Sequence, residues 1–254
     1  MTFCIAMKVQ DGLVGLADTR VTTGAEQITA KKVTVHQHGR HSIFLMTSGL
    51  RSARDKALTY FNEVLESSDQ TFDKLYKAVN AFGQQVRRVY EEDGSALAAS
   101  GLIFNLFSIV GGQLEADKEH MLYLLYPQGN WVEVARATPY YVIGESSYGK
   151  PLLDRVLRYE SSMELALKVG YLAFDATRTS ATDVDFPLDV VLYRQGTYDI
   201  VEHRYRREDL LATSRWWQSR IRESIEQAPM DWIHDSMNRL PTPPPTAPPH
   251  KAAE

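Results

Sequence analysis

The chain has one cysteine, no long apolar run and almost no excess of charge, and each shortage closes off a class of protein. Cys4 alone cannot form an internal disulfide or supply metal-ligand spacing, which favours a reducing compartment and makes Cys4 a small core residue. No apolar stretch approaches the roughly 18 residues of a membrane span. The N-terminus also lacks a basic patch followed by an apolar run, so the cytoplasm is the expected location and no membrane partner is expected. The 28 basic and 32 acidic residues are spread along the chain, leaving no basic footprint for nucleic acid. A glycine-rich phosphate loop is missing, so no cofactor is expected and any ATP-driven unfoldase would be a separate partner. His36, His38 and His41 surround a hairpin turn and read as solvated residues rather than a metal cluster.

What is present is enough for one large core: 254 residues, 44% of them apolar. Residues 1–238 read as one domain, and the proline-rich segment within 239–254 as a disordered tail. The first fifty residues read as two β-hairpins. Phe3, Ile5, Met7 and Val9 alternate with smaller or polar residues, and Asp11-Gly12 supplies a turn. A loop of those two residues pairs Ile5 with Asp18 and Thr2 with Val21. The second hairpin, Thr29 to Thr47, turns near His38-Gly39, which sets Lys32 near Leu45 and Thr29 near Ser48. Helical spacing then follows from Leu50 to Glu66 and again through Phe72, Leu75, Val79, Phe82, Val86 and Val89.

A second strand-rich block covers Leu102 to Val110, Met121 to Tyr126, Trp131 to Ala135 and Tyr140 to Ile143. A capping box from Ser161 to Glu164 precedes a stripe of Leu165, Val169, Leu172 and Ala176. The hairpin Leu188 to Tyr193 and Tyr198 to Tyr205 comes next. A last helix, Glu208 to Gln227, is expected to turn Trp217, Ile221 and Ile225 inward. Hairpins, two helices, hairpins, two helices and strands again are segregated blocks, so the fold class is α+β. A four-layer αββα sandwich satisfies that order.

Thr2 behind Met1, then Asp18-x-Arg20, Lys31-Lys32-Val33 and Met46-Thr47-Ser48-Gly49 together resemble proteasome β subunits of the N-terminal nucleophile hydrolase superfamily. Among its branches the sequence is most similar to Anbu, the bacterial relative of those subunits and of the HslV peptidase. The resemblance is good from residue 2 to about 60 and is mainly topological beyond. It implies that loss of Met1 exposes Thr2 as nucleophile, with its own α-amine as proton acceptor. A free α-amine has a reference pKa of about 8, so one residue carries nucleophile and base together. The resemblance makes Lys32 the residue that lowers neighbouring pKa values and Asp18 the one that orients Lys32. Ser48 and Gly49 become the oxyanion donors, and Arg20, Val21, Met46 and Leu50 the substrate pocket.

Two departures from that family stand out. Ser48 occupies a position that is normally glycine, and Glu145 replaces a serine that assists the N-terminal amine, leaving Ser146 or Ser147 to do so, with Ser147 preferred. The family's later aspartate falls to Asp183 or Asp185, of which Asp183 is taken. Peptide-bond hydrolysis inside a homo-oligomeric ring or open spiral is the expected activity. An amidase or transpeptidase acting on a small amide, or a catalytically weak assembly scaffold, are the alternatives.

Overall fold

The computed structural model describes residues 2–23, 26–68 and 71–241. The tail expected over 239–254 therefore lies outside the described residues from 242 onward, as does Met1. The chain divides into two compact units, Met1–Ser214 and Arg215–Glu254.

The first unit is built on two five-stranded antiparallel sheets. One contains β1 (Phe3–Val9), β2 (Gly12–Asp18), β10 (Tyr140–Gly144), β11 (Leu188–Arg194) and β12 (Ile200–Tyr205), in the order β10-β1-β2-β11-β12. The other runs in sequence order through β5 (Val33–His38), β6 (His41–Ser48), β7 (Phe107–Gln113), β8 (Met121–Leu125) and β9 (Trp131–Glu133). A two-stranded ribbon, β3 (Arg20–Thr23) with β4 (Glu26–Thr29), stands apart from both.

Three apolar clusters fill the three spaces between four layers. Cys4, Ala6, Phe44, Met46, Ile109 and Val191 form the dry interior between the sheets. Phe3, Ile5 and Met7, on the opposite face of β1, pack with Val169, Ala173 and Phe174 of α4 (Met163–Ser180), beside the short α3 (Lys150–Val156). Ile43 and Leu45 pack on the other side against α1 (Arg51–Ser68) and α2 (Leu75–Ala99) through Ala57, Phe61, Val79 and Phe82. Period-2 alternation thus sends every second residue of β1 and β6 to the inter-sheet core and the rest to the helices. Burial on both faces explains why these strands read as almost unbroken apolar runs. The αββα sandwich expected from the sequence is the fold observed.

Several local expectations shift. In the first hairpin Val9 pairs with Gly12 and Cys4 with Ala17, so the loop is Gln10-Asp11 and Asp18 lies beside Phe3 rather than Ile5. Val21 pairs with Ile28 in the separate ribbon, not with Thr2. In the second hairpin His38 pairs with His41, which places the loop at Gly39-Arg40. Lys32 is then opposite Thr47, whose N–H donates to the Lys32 carbonyl at 3.2 Å, and Thr29 belongs to the ribbon with Arg20. Helix α4 is capped by Ser162, whose hydroxyl accepts from Leu165 N, while Ser161 accepts from Arg158 N. Leu165 faces outward and Ala166 inward.

Helix α5 (Arg207–Glu226) starts in the first unit, where Ser214 donates to Asp175 at 2.7 Å and shares a hydrogen bond with Tyr171. The second unit holds the rest of α5 and the short α6 (Asp231–Met237). Trp216 and Trp217 stack with ring centroids 6.4 Å apart. Ile221 and Ile225, expected to face inward, are exposed.

Candidate active site

Where β1 begins, β2 ends and β6 turns into α1, the structure opens a cavity of about 530 Å³. Thr2, Lys32, Thr47, Ser48 and Gly49 line it, together with Gly144 from the end of β10. Residues far apart in sequence meet here because β1 is flanked by β2 and β10, and because β5 and β6 bring Lys32 to the start of α1.

Asp18 is the fixed point. It has no solvent exposure, and its Oδ1 accepts from Phe3 N at 2.8 Å and from Lys32 Nζ at 2.6 Å; Oδ2 accepts from Arg20 N at 3.1 Å. Lys32, only 4% exposed, also donates to the Arg20 carbonyl at 2.7 Å. Burial pushes the Asp18 carboxyl above its ordinary range, and the Lys32 ammonium and the two N–H donors oppose that shift. Burial likewise raises the thiol of Cys4, which is fully buried and directs Sγ to the Thr47 carbonyl at 3.9 Å, so Cys4 is a core residue.

Thr2 is held through its backbone. Its carbonyl accepts from Glu145 N at 2.6 Å, and Gly144, at φ +89°, lies so close that a Cβ there would sit 1.9 Å from the same oxygen. Gly49 ends β6 at φ +128°, where a Cβ would come within 2.4 Å of the Asn105 carbonyl. Asn105 reaches back to accept from Leu50 N at 3.0 Å. Among the described residues the Gly49 N–H has no acceptor, and it borders the same cavity as Thr2. A hydroxyl, a buried ammonium held in place and a free N–H around one cavity are the parts that acyl transfer through a side-chain nucleophile requires.

Of the residues expected from the sequence, Thr2, Val21, Lys32, Ser48, Gly49 and Leu50 line the cavity, and Asp18 stands behind Lys32. Four others do not line it. Met46 is fully buried between the sheets, because the odd-numbered residues of β6 face the helices and Met46 faces the other sheet; its neighbour Thr47 takes the cavity position. Arg20 turns its guanidinium to Asp185 at 2.7 Å and to the Thr182 carbonyl at 2.8 Å. Ser147 is exposed and gives its N–H to the Glu145 carboxylate at 2.9 Å, so the contact with Thr2 comes from Gly144 and Glu145 backbone instead. Asp183 is half-buried, and the buried Asp185 is the one tied to Arg20 and to Arg207.

Sequence reasoning missed Arg51, Arg54, Asn105 and Phe107, all of which line the cavity. A signal existed for the arginines, since both fall within the first turn of a helix that starts at the Ser48-Gly49 turn. Asn105 carried none, because the segment from Leu102 read as strand, whereas β7 starts only at Phe107. Among the described residues no group of three or more potential metal ligands is found, and no helix is long and apolar enough to cross a membrane.

A scan of protein-family models and a search of curated proteins each find no match. Solved structures do match. An Anbu Gly-1 mutant from Hyphomicrobium sp. strain MC1 superposes at a TM-score of 0.83 with 31% identity, covering 90% of this chain and 98% of that one. Anbu, described as the ancestral β-subunit, from Yersinia bercovieri gives 0.83 at 26% identity over 89% and 98%. The Anbu complex from Pseudomonas aeruginosa, solved as a helical assembly, gives 0.78 at 27% identity over 96% and 98%. With the αββα layers and the 31% identity over nearly the whole Hyphomicrobium protein, this chain belongs to the Anbu family of proteasome-related proteins.

Proposed function

We propose that this chain is a subunit of a cytoplasmic, self-assembling threonine peptidase. Thr2 becomes the nucleophile once Met1 is removed, and its α-amine takes the hydroxyl proton as the Thr2 oxygen attacks a peptide carbonyl. The Lys32 ammonium, held by Asp18, biases the proton equilibrium of that amine and hydroxyl. The Gly49 N–H, with Ser48 beside it, is aimed where the tetrahedral oxyanion forms. The amine then returns its proton to the departing nitrogen, and water releases the acyl group from Thr2.

The observation that carries this reading is the buried Lys32–Asp18 pair opening on the same cavity as Thr2. Burying two charges is costly, and a purely structural core would be served as well by apolar residues. Self-assembly rests on the family, one member of which forms a helical assembly. The test is treatment of the purified protein with a threonine-directed electrophile such as a β-lactone, followed by peptide mapping. The adduct is expected on Thr2 and nowhere else; an unlabelled Thr2 alongside intact assembly would leave a non-catalytic subunit.

A further inference from the structure

In the lining of the cavity beside Thr2, donors and cations stand next to the apolar Val21, Leu50 and Phe107. Arg51 and Arg54 border it from the first turn of α1, and Asn105 borders it from the segment before β7. The Asn105 Oδ1 accepts from Leu50 N, and its amide N–H₂ adds two donors. Thr47 adds a hydroxyl that is buried and without a hydrogen-bond partner among the described residues. No carboxylate lines the cavity among the described residues.

The charge balance is uneven. Lys32 is neutralised by Asp18. Asp55, outside the lining, is the carboxylate bound to both arginines: Arg54 Nε and Nη2 reach its Oδ1 at 2.8 and 2.6 Å, and Arg51 Nε reaches Oδ2 at 3.4 Å. One carboxylate against two guanidiniums leaves one positive charge in excess at the cavity wall. Asp55 and the Lys31 carbonyl, 3.4 Å from Arg54 Nη1, also fix the Arg54 fork, which is mostly withdrawn from water, so its direction is set before a ligand arrives. Guanidinium donors so fixed suit a group that only accepts hydrogen bonds and carries negative charge.

We infer that this cavity selects substrates carrying a carboxylate beside the carbonyl that Thr2 attacks. Two sources share that chemistry: an acidic side chain on the residue donating the carbonyl, and the free α-carboxylate of a γ-linked glutamyl amide. The inference deepens the peptidase reading and rests on it for the location of the attacked carbonyl.

The experiment compares coumarin amides of acetylated peptides ending in Glu, Gln, Leu or Lys, and a γ-glutamyl coumarin amide, on the assembled protein. Glu over Gln by roughly tenfold or more in kcat/KM is expected, since these side chains are close in shape and differ in charge. Faster turnover of the γ-glutamyl amide than of the Glu peptide would identify the α-carboxylate as the source. Arg54→Gln should bring the Glu-to-Gln ratio close to one, Arg54→Lys should restore part of it, and Arg51→Gln should lower it less.

A second measurement separates selectivity from catalysis. Thr2→Ala protein is titrated by fluorescence anisotropy with labelled peptide amides ending in Glu or Gln. Tighter binding of the Glu peptide, weakened by salt and by Arg54→Gln, supports the carboxylate site even if no substrate is turned over. Equal binding of the two peptides overturns it, as does faster turnover of the Leu or Lys coumarin amide than of the Glu one.

Discussion

Lys32 Nζ lies 2.6 Å from the Asp18 carboxylate, and neither side chain exposes more than a few per cent of its surface to solvent. Such a pair costs desolvation and gains little net stability, yet removing one partner leaves a bare buried charge. Lys32→Ala and Asp18→Asn are therefore each expected to cost about 3–5 kcal/mol. At roughly 2–4 °C per kcal/mol for a domain of this size, the thermal midpoint falls on the order of 10 °C. Both single variants are also expected to lose labelling of Thr2, and the double variant Lys32→Met/Asp18→Asn, which removes both charges, should recover most of the stability without recovering the labelling. Differential scanning calorimetry beside mass-spectrometric labelling checks both halves. Labelling that recovers together with stability would make the pair merely structural.

Met46 and Thr47 are neighbours on β6 with opposite fates. Met46→Ala empties a fully buried position between the sheets and is expected to cost about 2–5 kcal/mol in denaturant unfolding. Its effect on the relative turnover of a peptide series should be small. Thr47→Val removes a buried hydroxyl that has no partner among the described residues, so the midpoint should not drop. Relative turnover of Glu, Leu and Lys peptides should change with Thr47→Val and not with Met46→Ala. The reverse pattern would return Met46 to the cavity.

This pair also shows what the sequence could and could not say. The order of hairpins and helices was readable because strand and helix periodicities differ, and the αββα layers follow from it. The register was not readable. Asp11-Gly12 has the composition of a turn, but a Cβ at Gly12 would lie 2.1 Å from the Tyr193 carbonyl, so that glycine serves the close approach of β11. The true loop slides by one residue, the partner sum changes by two, and Asp18 moves from beside Ile5 to beside Phe3 on the same face of the sheet. At β6 the choice between Met46 and Thr47 depended on which face meets α1, which only the packed sheets decide. Ser147 and Asp183 lie outside the cavity lining for a similar reason: each sits in a loop beside a fixed neighbour, Glu145 in one case and the Arg20–Asp185 pair in the other.

His120 supplies a pH dependence away from the cavity. It is fully buried, with Nε2 2.8 Å from the Val9 carbonyl and Nδ1 3.1 Å from the Gln195 side chain. Desolvation lowers its pKa from the usual 6.5, and the nearby Lys8 ammonium adds to that, while the Val9 carbonyl, Glu119 and Gln195 oppose it. The unfolded chain then takes up a proton before the folded one does. Stability is expected to be full above about pH 6.5, to fall as pH drops through that value, and to level off below the folded pKa. His120→Gln should flatten this part of the profile in urea unfolding between pH 5 and 8. An unchanged slope would assign it to other groups.

Whether Thr2 acts through a free α-amine is decided by comparing two forms of one protein. Intact-mass spectrometry identifies chain lacking Met1 after cytoplasmic expression, and expression under methionine-aminopeptidase inhibition supplies chain that keeps it. With Met1 attached the Thr2 nitrogen is an amide and cannot accept the hydroxyl proton. The processed form is expected to take up the threonine-directed electrophile stoichiometrically on Thr2 and to cleave peptide, and the Met1-bearing form to do neither. Equal labelling and turnover in both forms would contradict an N-terminal nucleophile in this chain.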